Sequence, residues 1–360
     1  MNSQRYYDYL IIGQGLAGSL LAWRLSNAGQ RVLVIDNANP AAASRVAAGL
    51  VNPVTGRRLV KEAKAEDYLQ AAEECYAQLA AQFGQTFFHA KPMLRLFVNE
   101  AIKQAWRKRA TDRDYTAFIG ASLPASESGF PEGGFLQYRT GYLATVLLLD
   151  SLRGWLLQRD ALCTTQFDYA ELQVGESIAW RDCQAGRLIF CEGARVTANP
   201  WFKYLPMQPA QGEILTLSTT DKLPDWIING GKWLLPMTQG RFKLGANYIW
   251  PTVDKPLDEQ TTTAGRQELL ARLNALAPAV THYEVLAHEA GIRPNSLDKQ
   301  PLLGFHPQYP ALAVFNGFGS RGSLLIPYYS KHFTDVLLNA VTLQAEVDIR
   351  RVNSDATIAD

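Results

Sequence analysis

The sequence has few of the residues that build metal centres, disulfide frameworks or membrane spans. Its 360 residues include four cysteines and five histidines, with no C-x-x-C pair and no H-x-x-x-H spacing. We therefore expect no zinc site and no disulfide framework, and a reducing cytoplasm is the expected location. No apolar run approaches the roughly 18 residues that a membrane-spanning helix needs, so no span is expected.

An excess of one charge is lacking as well. Lys and Arg total 35, Asp and Glu total 34, and the formal net charge is +1. This balance argues against a surface devoted as a whole to binding nucleic acid. The 27 glycines and 18 prolines exclude collagen-like and low-complexity chains. The length suggests about two domains.

What is present begins at the N-terminus, with a strand, a glycine-rich loop, a helix and a second strand that ends in an acid. Residues 9–12 (YLII) form a continuous apolar run, which is typical of a buried parallel strand. The loop 13–18 (GQGLAG) follows, and the apolar spacing after it predicts a helix that stops near Gly29. A second strand is predicted over 31–35 (RVLVI), and Asp36 closes it.

Each part of this pattern suits a bound dinucleotide. Gly13 allows a tight turn, Gly15 lets the backbone approach a pyrophosphate, and Gly18 lets the helix pack closely on the strand. Asp36 would accept hydrogen bonds from a ribose hydroxyl, while the helix N-terminus offers free N–H groups to the phosphates. The glycine pattern alone also fits a turn in another α/β protein, but with strand, helix and acid it predicts a dinucleotide site. The loop contacts expected are Gly13, Gly15, Leu16, Ala17 and Gly18.

The segment 41–61 (AAASRVAAGLVNPVTGRRLVK) is unusually rich in small residues. Gly49, Pro53 and Gly56 would break any helix. One interpretation is a surface loop, and the other is a backbone laid against a flat ring. We favour the second because the segment follows the strand that ends in the ribose-binding acid. The candidate contacts are Ser44, Ala48 and Gly49.

The middle of the chain alternates between helical and strand patterns. The periodicity predicts helices over 65–83, 101–109, 142–157 and 264–276, and strands over 188–191, 211–217, 232–236 and 241–249. The strands after 211 are expected to be antiparallel, with a hairpin turn at Gln239-Gly240.

A second glycine-rich loop lies in the C-terminal third. Residues 291–294 (GIRP) and 298–304 (DKQPLLG) precede a strand over 312–315, the loop 317–322 (GFGSRG) and a predicted helix over 323–340. Ser320 is available as a helix cap. No acid-tipped strand follows, so this is not a second nucleotide fingerprint. It could instead direct a helix dipole at a developing negative charge.

Together these blocks resemble the flavin-dependent family of D-amino-acid oxidase, glycine oxidase and sarcosine oxidase. The closing 317–322 loop is most similar to the FAD domain of a bifunctional tRNA-modifying enzyme, which oxidises a carboxymethylaminomethyl group on wobble uridine. The resemblance extends over nearly the whole chain and rests on 13–18 with Asp36, Ala48-Gly49, the strand ending at Gly193, 209–213 (PAQGE), 233–245 (WLLPMTQGRFKLG), 291–294 and 298–304.

The resemblance implies an α/β fold of mixed α+β character. A Rossmann-like FAD-binding domain would be joined to a discontinuous substrate domain built on a mixed, mainly antiparallel sheet. The FAD-binding domain would collect 1–85, 141–205 and 287–345, the substrate domain 86–140 and 206–286, and 346–360 would form a C-terminal tail. FAD is expected to bind non-covalently, because the cysteine and histidine contexts for covalent attachment are not recognisable.

The resemblance also implies site residues in the C-terminal half. Arg293 would clamp a substrate carboxylate, since a guanidinium binds carboxylates in a bidentate way. The alternative is a structural arginine paired with Asp298 or Glu289. Arg321 would face the flavin or a second acidic group, and the alternative is an arginine facing solvent. The further cofactor contacts implied are Gly193, Gly319, Ser320, Arg321 and Gly322.

The leading function is an FAD-dependent oxidase or dehydrogenase of an amino acid or secondary amine, such as an N-substituted glycine. Its partners would be that small molecule and O2 or another electron acceptor. One alternative is an oxidase of a tRNA side chain, with phosphate contacts from basic residues around 57–64 and 103–113. Nearby acids favour a solvated face there instead. The other alternative is a flavin-binding protein without amine turnover.

Overall fold

The computed structural model describes residues 5–175, 177–252 and 256–352. In chain order the α-helices are α1 (Leu16–Asn27), α2 (Ala43–Val46), α3 (Ala65–Phe83), α4 (Glu100–Ala110), α5 (Ala125–Ser128), α6 (Thr145–Leu157), α7 (Thr263–Leu270), α8 (Leu273–Leu276) and α9 (Gly322–Leu337). The 3-10 turns are Arg113–Tyr115, Tyr169–Glu171, Gly193–Ala198, Gly319–Arg321 and Ile349–Arg351.

The strands are β1 (Arg5–Ile12), β2 (Val32–Asp36), β3 (Leu50–Val51), β4 (Val54–Thr55), β5 (Val60–Lys61), β6 (Phe88–Ala90), β7 (Met93–Leu96), β8 (Ile119–Leu123), β9 (Gly134–Gln137), β10 (Gly141–Leu143), β11 (Leu162–Thr164), β12 (Leu172–Val174), β13 (Ile178–Trp180), β14 (Cys183–Phe190), β15 (Ala210–Ser218), β16 (Ile227–Asn229), β17 (Trp233–Pro236), β18 (Arg241–Gly245), β19 (Glu284–Arg293), β20 (Leu302–Phe305) and β21 (Leu312–Asn316).

The first of two compact units consists of Met1–Arg45, Thr145–Ala210 and Ile292–Asp360. Its central strands are parallel, in the order β11-β2-β1-β14-β21, and β12, β13 and β20 add antiparallel pairings. A row of buried side chains crosses this sheet from β2 to β21: Ile35, Ile12, Phe190 and Val314. Residues 9–12, 32–35, 188–190 and 312–315 of these strands are all buried, which fits their continuous apolar sequences.

The second unit consists of Val46–Ala144 and Gln211–Gly291. Its largest sheet has the strand order β19-β15-β18-β17-β16-β7-β9-β8, with mostly antiparallel pairs. On one face Leu215 pairs with Leu244 and Leu217 pairs with Phe242, and this face packs against Leu269 of α7. Alternation along β15 and β18 therefore gives this sheet two distinct faces.

A mixed α/β fold with sheets of mixed orientation was predicted and is confirmed. The contacts group residues 46–85, 141–144 and 287–291 with the second unit, whereas the sequence pattern suggested the FAD-binding domain for them. For 46–85 and 141–144 the reason is strand pairing, since β3 and β6 both pair with β10. Residues 206–210, expected in the substrate domain, belong to the first unit. Among the described residues no helix has both the length and the apolar character that crossing a membrane requires.

Three helix boundaries differ from the prediction. The helix predicted over 142–157 begins at Thr145, because 141–143 pairs as β10. The last helix ends at Leu337, and Asn339 then adopts φ 58°, a left-handed conformation that stops a helix. The helix predicted over 264–276 is divided into α7 and α8.

Residues 344–352, mostly assigned to a tail from the sequence, include part of the core of the first unit. Val347 is fully buried and Ile349 is 2% exposed. The Leu303 N–H donates to the Val347 carbonyl at 2.8 Å, which attaches this segment to β20.

This packing predicts a stability effect. Ile349→Val should lower the free energy of unfolding by about 0.5–1.5 kcal/mol, because a buried methylene is lost. Denaturant unfolding at equilibrium measures the change. Val60→Ala is the control, since Val60 is 48% exposed and exposed substitutions usually stay within about 0.5 kcal/mol. Equal losses in both variants would contradict the packing role of Ile349.

Candidate functional site

The glycine loop after β1 makes a turn that side chains would obstruct. Gly13 has φ 103°, a conformation that favours glycine, and its N–H donates to the Ile35 carbonyl at 2.8 Å. A Cβ on Gly13 would lie 2.6 Å from the Cys191 carbonyl oxygen. A Cβ on Gly18 would lie 2.0 Å from the Gly13 carbonyl oxygen. Close packing of β1, α1 and the end of β14 therefore requires both glycines.

The N-terminus of α1 offers hydrogen-bond donors. The Leu16 N–H donates to Ser44 Oγ at 3.1 Å. Within residues 5–175, 177–252 and 256–352, the N–H groups of Ala17 and Gly18 have no hydrogen-bond partner. A Cβ on Gly15 would meet only Ser44 Oγ, at 3.4 Å. Unpaired N–H groups at a helix N-terminus beside an open glycine suit the phosphates of a dinucleotide.

The Asp36 carboxylate, at the end of β2, is fixed by the backbone. Its Oδ2 accepts from the Gln14 N–H at 2.8 Å, and its Oδ1 accepts from the Ala38 N–H at 2.7 Å. A carboxylate oxygen has more than one acceptor position, so both oxygens can also accept from ribose hydroxyls. The site thus holds a preoriented acid where a dinucleotide's ribose would bind.

The loop after β14 carries a partly buried acid beside Gly193. Asn316 Nδ2 donates to the Gly193 carbonyl at 2.8 Å. The neighbouring Glu192 accepts from the Tyr169 hydroxyl and from Asn199 Nδ2. Burial raises the pKa of the Glu192 carboxyl, against the opposing effect of these two hydrogen bonds. The pKa of Glu192 is therefore higher than that of an exposed glutamate.

This shift predicts a pH dependence of stability. The folded chain binds a proton at Glu192 more tightly than the unfolded chain, so the group's stabilising contribution falls as pH rises through its folded pKa. Glu192→Gln keeps the shape and removes the titration. We expect the stability of wild type relative to Glu192→Gln to be greater at about pH 5 than at about pH 8. The two pH values lie above the usual glutamate pKa of about 4.3, in the range where a glutamate with a raised pKa loses its proton. Denaturant midpoints at the two pH values measure it, and a constant difference would contradict the assignment.

The second glycine loop is held by the chain that follows β19. The Gly319 N–H donates to the Pro294 carbonyl at 3.2 Å, and a Cβ on Gly319 would lie 2.5 Å from Asn295 Oδ1. The expectation that Ser320 caps the last helix is wrong. Ser320 lies inside a 3-10 turn, so Arg321 takes the N-cap position of α9 and no side chain caps it. A Cβ on Gly322 would face Ile326 of the same helix at 3.1 Å.

The arginines proposed from the sequence have different surroundings. Arg321 Nη2 donates to the Lys299 carbonyl, which ties the start of α9 to the loop after Pro294. Arg293 is the last residue of β19 and is partly buried. Asp298, named above as an alternative partner of Arg293, forms an ion pair with Arg351 at 2.9 Å. The carboxylate role of Arg293 remains a proposal.

In the second unit the structure supplies a reason for Gly49. Gly49 has φ 70°, and a Cβ there would lie 2.0 Å from the Leu143 carbonyl oxygen. The Leu143 N–H donates to the Gly49 carbonyl at 2.9 Å. Ala48 packs in a small apolar cluster with Met93 and Leu235. Backbone packing thus accounts for the glycine, and contact of this segment with a flavin ring remains a proposal.

Sequence reasoning missed two charged groups on strands of the second unit. Burial lowers the pKa of Lys243 on β18, against the opposing charge of Glu289. Glu213 on β15 has a fully buried side chain, 2.7 Å from His288 Nε2, and it accepts from Thr262 Oγ1 at 2.8 Å. The available signal was a charged residue inside an otherwise apolar strand, which requires a partner when buried. No group of three or more His, Cys, Asp or Glu in the described ranges is arranged to hold a metal ion.

Comparison with known proteins decides the family. A family model described as FAD dependent oxidoreductase (DAO) matches residues 8–336. The chain belongs to this family. It is therefore an oxidoreductase whose cofactor is FAD. The unpaired N–H groups at α1 and the fixed carboxylate of Asp36 fit the pyrophosphate and ribose of that cofactor.

Known proteins from several organisms match more than 90% of the chain. Glycine oxidase of Pseudomonas aeruginosa is 22% identical, over 91% of this chain and 94% of that protein. The tRNA 5-methylaminomethyl-2-thiouridine biosynthesis bifunctional protein MnmC of Marinobacter nauticus is 24% identical, over 91% of this chain but 54% of that protein. The crystal structure of iminodiacetate oxidase from Chelativorans sp. BNC1 superposes with a TM-score of 0.77 at 21% identity, covering 93% of this chain and 96% of that one.

Proposed function

We propose that this FAD-dependent oxidoreductase oxidises the C–N bond of an amino acid or of an N-substituted glycine. The observation that carries the proposal is the full-length similarity to glycine oxidase, together with the shared fold of iminodiacetate oxidase. Both names denote small amines that bear a carboxylate next to the oxidised carbon. A guanidinium at the end of β19 suits such a carboxylate.

The chain's residues have distinct roles in this proposal. The N–H groups of Ala17 and Gly18 hold the pyrophosphate, and Asp36 accepts from the ribose hydroxyls. Arg293 binds the substrate carboxylate and so orients the carbon next to nitrogen. Bound FAD supplies the chemistry by accepting a hydride equivalent from that carbon. The enzyme then needs no strong base if the amine binds unprotonated, and the imine product hydrolyses in water.

The cofactor is proposed to be held non-covalently. The four cysteines are free thiols. Cys191, beside the glycine loop, is buried, and burial raises the pKa of its thiol well above the usual range. A thiol that resists ionisation is a poor nucleophile. Acid precipitation should therefore release all of the flavin into the supernatant, and yellow colour retained in the pellet would contradict this.

A carboxymethylaminomethyl side chain of tRNA is the second candidate substrate, because of the similarity to MnmC. Three of the basic residues that would contact RNA form ion pairs with acids, which counts against this candidate. Lys61 pairs with Glu66 at 3.0 Å, Arg107 with Glu100 at 3.1 Å, and Arg109 with Asp112 at 3.4 Å. Because these ion pairs offset the positive charge of the three side chains, less charge remains to attract RNA phosphates.

Product analysis tests the proposal. Purified holoenzyme is incubated in air, with an artificial electron acceptor added, with glycine, with N-methylglycine and with iminodiacetate. A parallel arm contains tRNA that bears the carboxymethylaminomethyl group. We expect glyoxylate, with release of the matching amine, from at least one small substrate, since oxidation and hydrolysis of an N-substituted glycine yield these products. Turnover confined to the tRNA arm would replace the proposed substrate. No product in any arm would overturn the oxidation of glycine and N-substituted glycines.

A further inference from the structure

Arg153 on α6 joins three segments at one edge of the parallel sheet in the first unit. Its Nη1 donates to Gln14 Oε1 at 3.1 Å and its Nη2 donates to Thr164 Oγ1 at 2.8 Å. The same Nη1 lies 3.6 Å from Asp36 Oδ1. Thr164 is the register partner of Asp36 in the neighbouring strand. One guanidinium thus links the glycine loop to the ends of β2 and β11.

The Gln14 side chain explains why a donor is needed there. It is 6% exposed, and its Nε2 donates to Ser19 Oγ and to the Leu149 carbonyl, both at 3.1 Å. Arg153 supplies the donor for its Oε1. The backbone N–H of Gln14 is one of the two groups that fix the Asp36 carboxylate. Without Arg153, Gln14 would keep a buried acceptor unpaired, which costs stability at this position of the loop.

The Arg153–Asp36 pair is partly buried and is less exposed than the surface ion pair of Arg107 with Glu100. Its side chains are 21% and 18% exposed, against 57% and 59% for Arg107 and Glu100. Solvent and salt screen a partly buried pair less than an exposed one. The planar fork of arginine can hold two acceptors at fixed directions, which a lysine ammonium does not.

We propose that Arg153 is a positioning residue for the adenosine half of FAD. It fixes the Asp36 carboxylate, directly and through the N–H of Gln14, in the orientation that receives the ribose, and it thereby sets FAD affinity. The inference rests on the proposed role of Asp36 as the ribose acceptor, and it does not depend on which amine is oxidised. Arg153 itself need not touch the cofactor.

The test is a double-mutant cycle on FAD binding. Full-length apoprotein is titrated with FAD, and the dissociation constant is obtained from quenching of flavin fluorescence. The variants are Arg153→Gln, Asp36→Asn and the double variant. Arg153→Gln should raise the dissociation constant about 10-fold, the worth of a charge-assisted hydrogen bond. The double variant should bind no more weakly than Asp36→Asn alone, because Arg153 acts through Asp36.

Two further variants exclude a general loss of structure. Arg159→Gln is the matched control, since Arg159 follows the same helix, stacks on Trp155 and donates to its carbonyl. It should bind FAD as wild type does. Arg153→Lys keeps the charge and should recover less than the full affinity. Wild-type affinity in Arg153→Gln, or independent effects that multiply in the double variant, would overturn the proposal. If Arg153→Gln does not fold, wild-type affinity in Arg153→Lys would overturn the fork's role.

Discussion

Gly15→Val protein is expected to fold and to purify without FAD. Gly15 has φ −71° and ψ −178°, an extended conformation that valine adopts readily. A Cβ atom on Gly15 would have only Ser44 Oγ within 4 Å, at 3.4 Å. The fold therefore tolerates the side chain. The added methyl groups would occupy space at the N-cap of α1, where close approach of the pyrophosphate is expected, and would block that approach.

The measurement is the ratio of flavin to protein absorbance, with circular dichroism to confirm folding. Gly154→Ala is the matched control, because Gly154 lies within α6 and nothing is within 4 Å of its Cβ position. It should retain FAD. Gly18→Ala is a different case, since its Cβ would lie 2.0 Å from the Gly13 carbonyl oxygen and the fold itself should be perturbed. Stoichiometric FAD in folded Gly15→Val protein would show that this loop does not bind the pyrophosphate.

Arg293→Lys is expected to weaken carboxylate binding by about 1.5–3 kcal/mol, the usual worth of a hydrogen bond to a charged group. This corresponds to an increase of about 10- to 150-fold in the dissociation constant. Lysine keeps the charge but loses the fork that matches both carboxylate oxygens. The FAD content should stay at the wild-type value, because Arg293 is assigned to the substrate and not to the cofactor.

Titration of holoenzyme with a carboxylate that carries no amine, such as acetate, measures this effect through the flavin spectrum. Arg187→Lys serves as control, since Arg187 lies in β14 of the same unit and stacks on Phe305. Its affinity should equal that of wild type. Equal affinities in Arg293→Lys and wild type, for every carboxylate that binds, would make Arg293 a structural residue.

The N-terminal half of the candidate site could be predicted because its signals are local. The run 9–12, the glycines of 13–18 and Asp36 each have a short-range physical reason, and β1, α1 and β2 lie in the predicted order. The hairpin turn at Gln239-Gly240 was predicted for the same reason, and both residues adopt positive φ. Local conformational preferences do not depend on the rest of the fold.

The features that could not be predicted depend on partners distant in sequence. Arg153 meets Gln14 across 139 positions, and His288 meets Glu213 across 75. Pairing of β3 with β10 places residues after Val46 in the second unit, although the adjacent cofactor loop suggested the first. Ser320 failed as a cap because a 3-10 turn precedes α9, which the glycine pattern alone does not reveal.

The most direct test of the account is anaerobic mixing of the holoenzyme with single amines, followed through the visible absorbance of the flavin. We expect at least one N-substituted glycine or amino acid to bleach the flavin, with glyoxylate or the matching oxo acid formed in an amount equal to the flavin reduced. Readmitting an electron acceptor should restore the colour. A flavin that dithionite bleaches, but that stays oxidised with every amine and amino acid, would contradict the central claim that this enzyme oxidises C–N bonds.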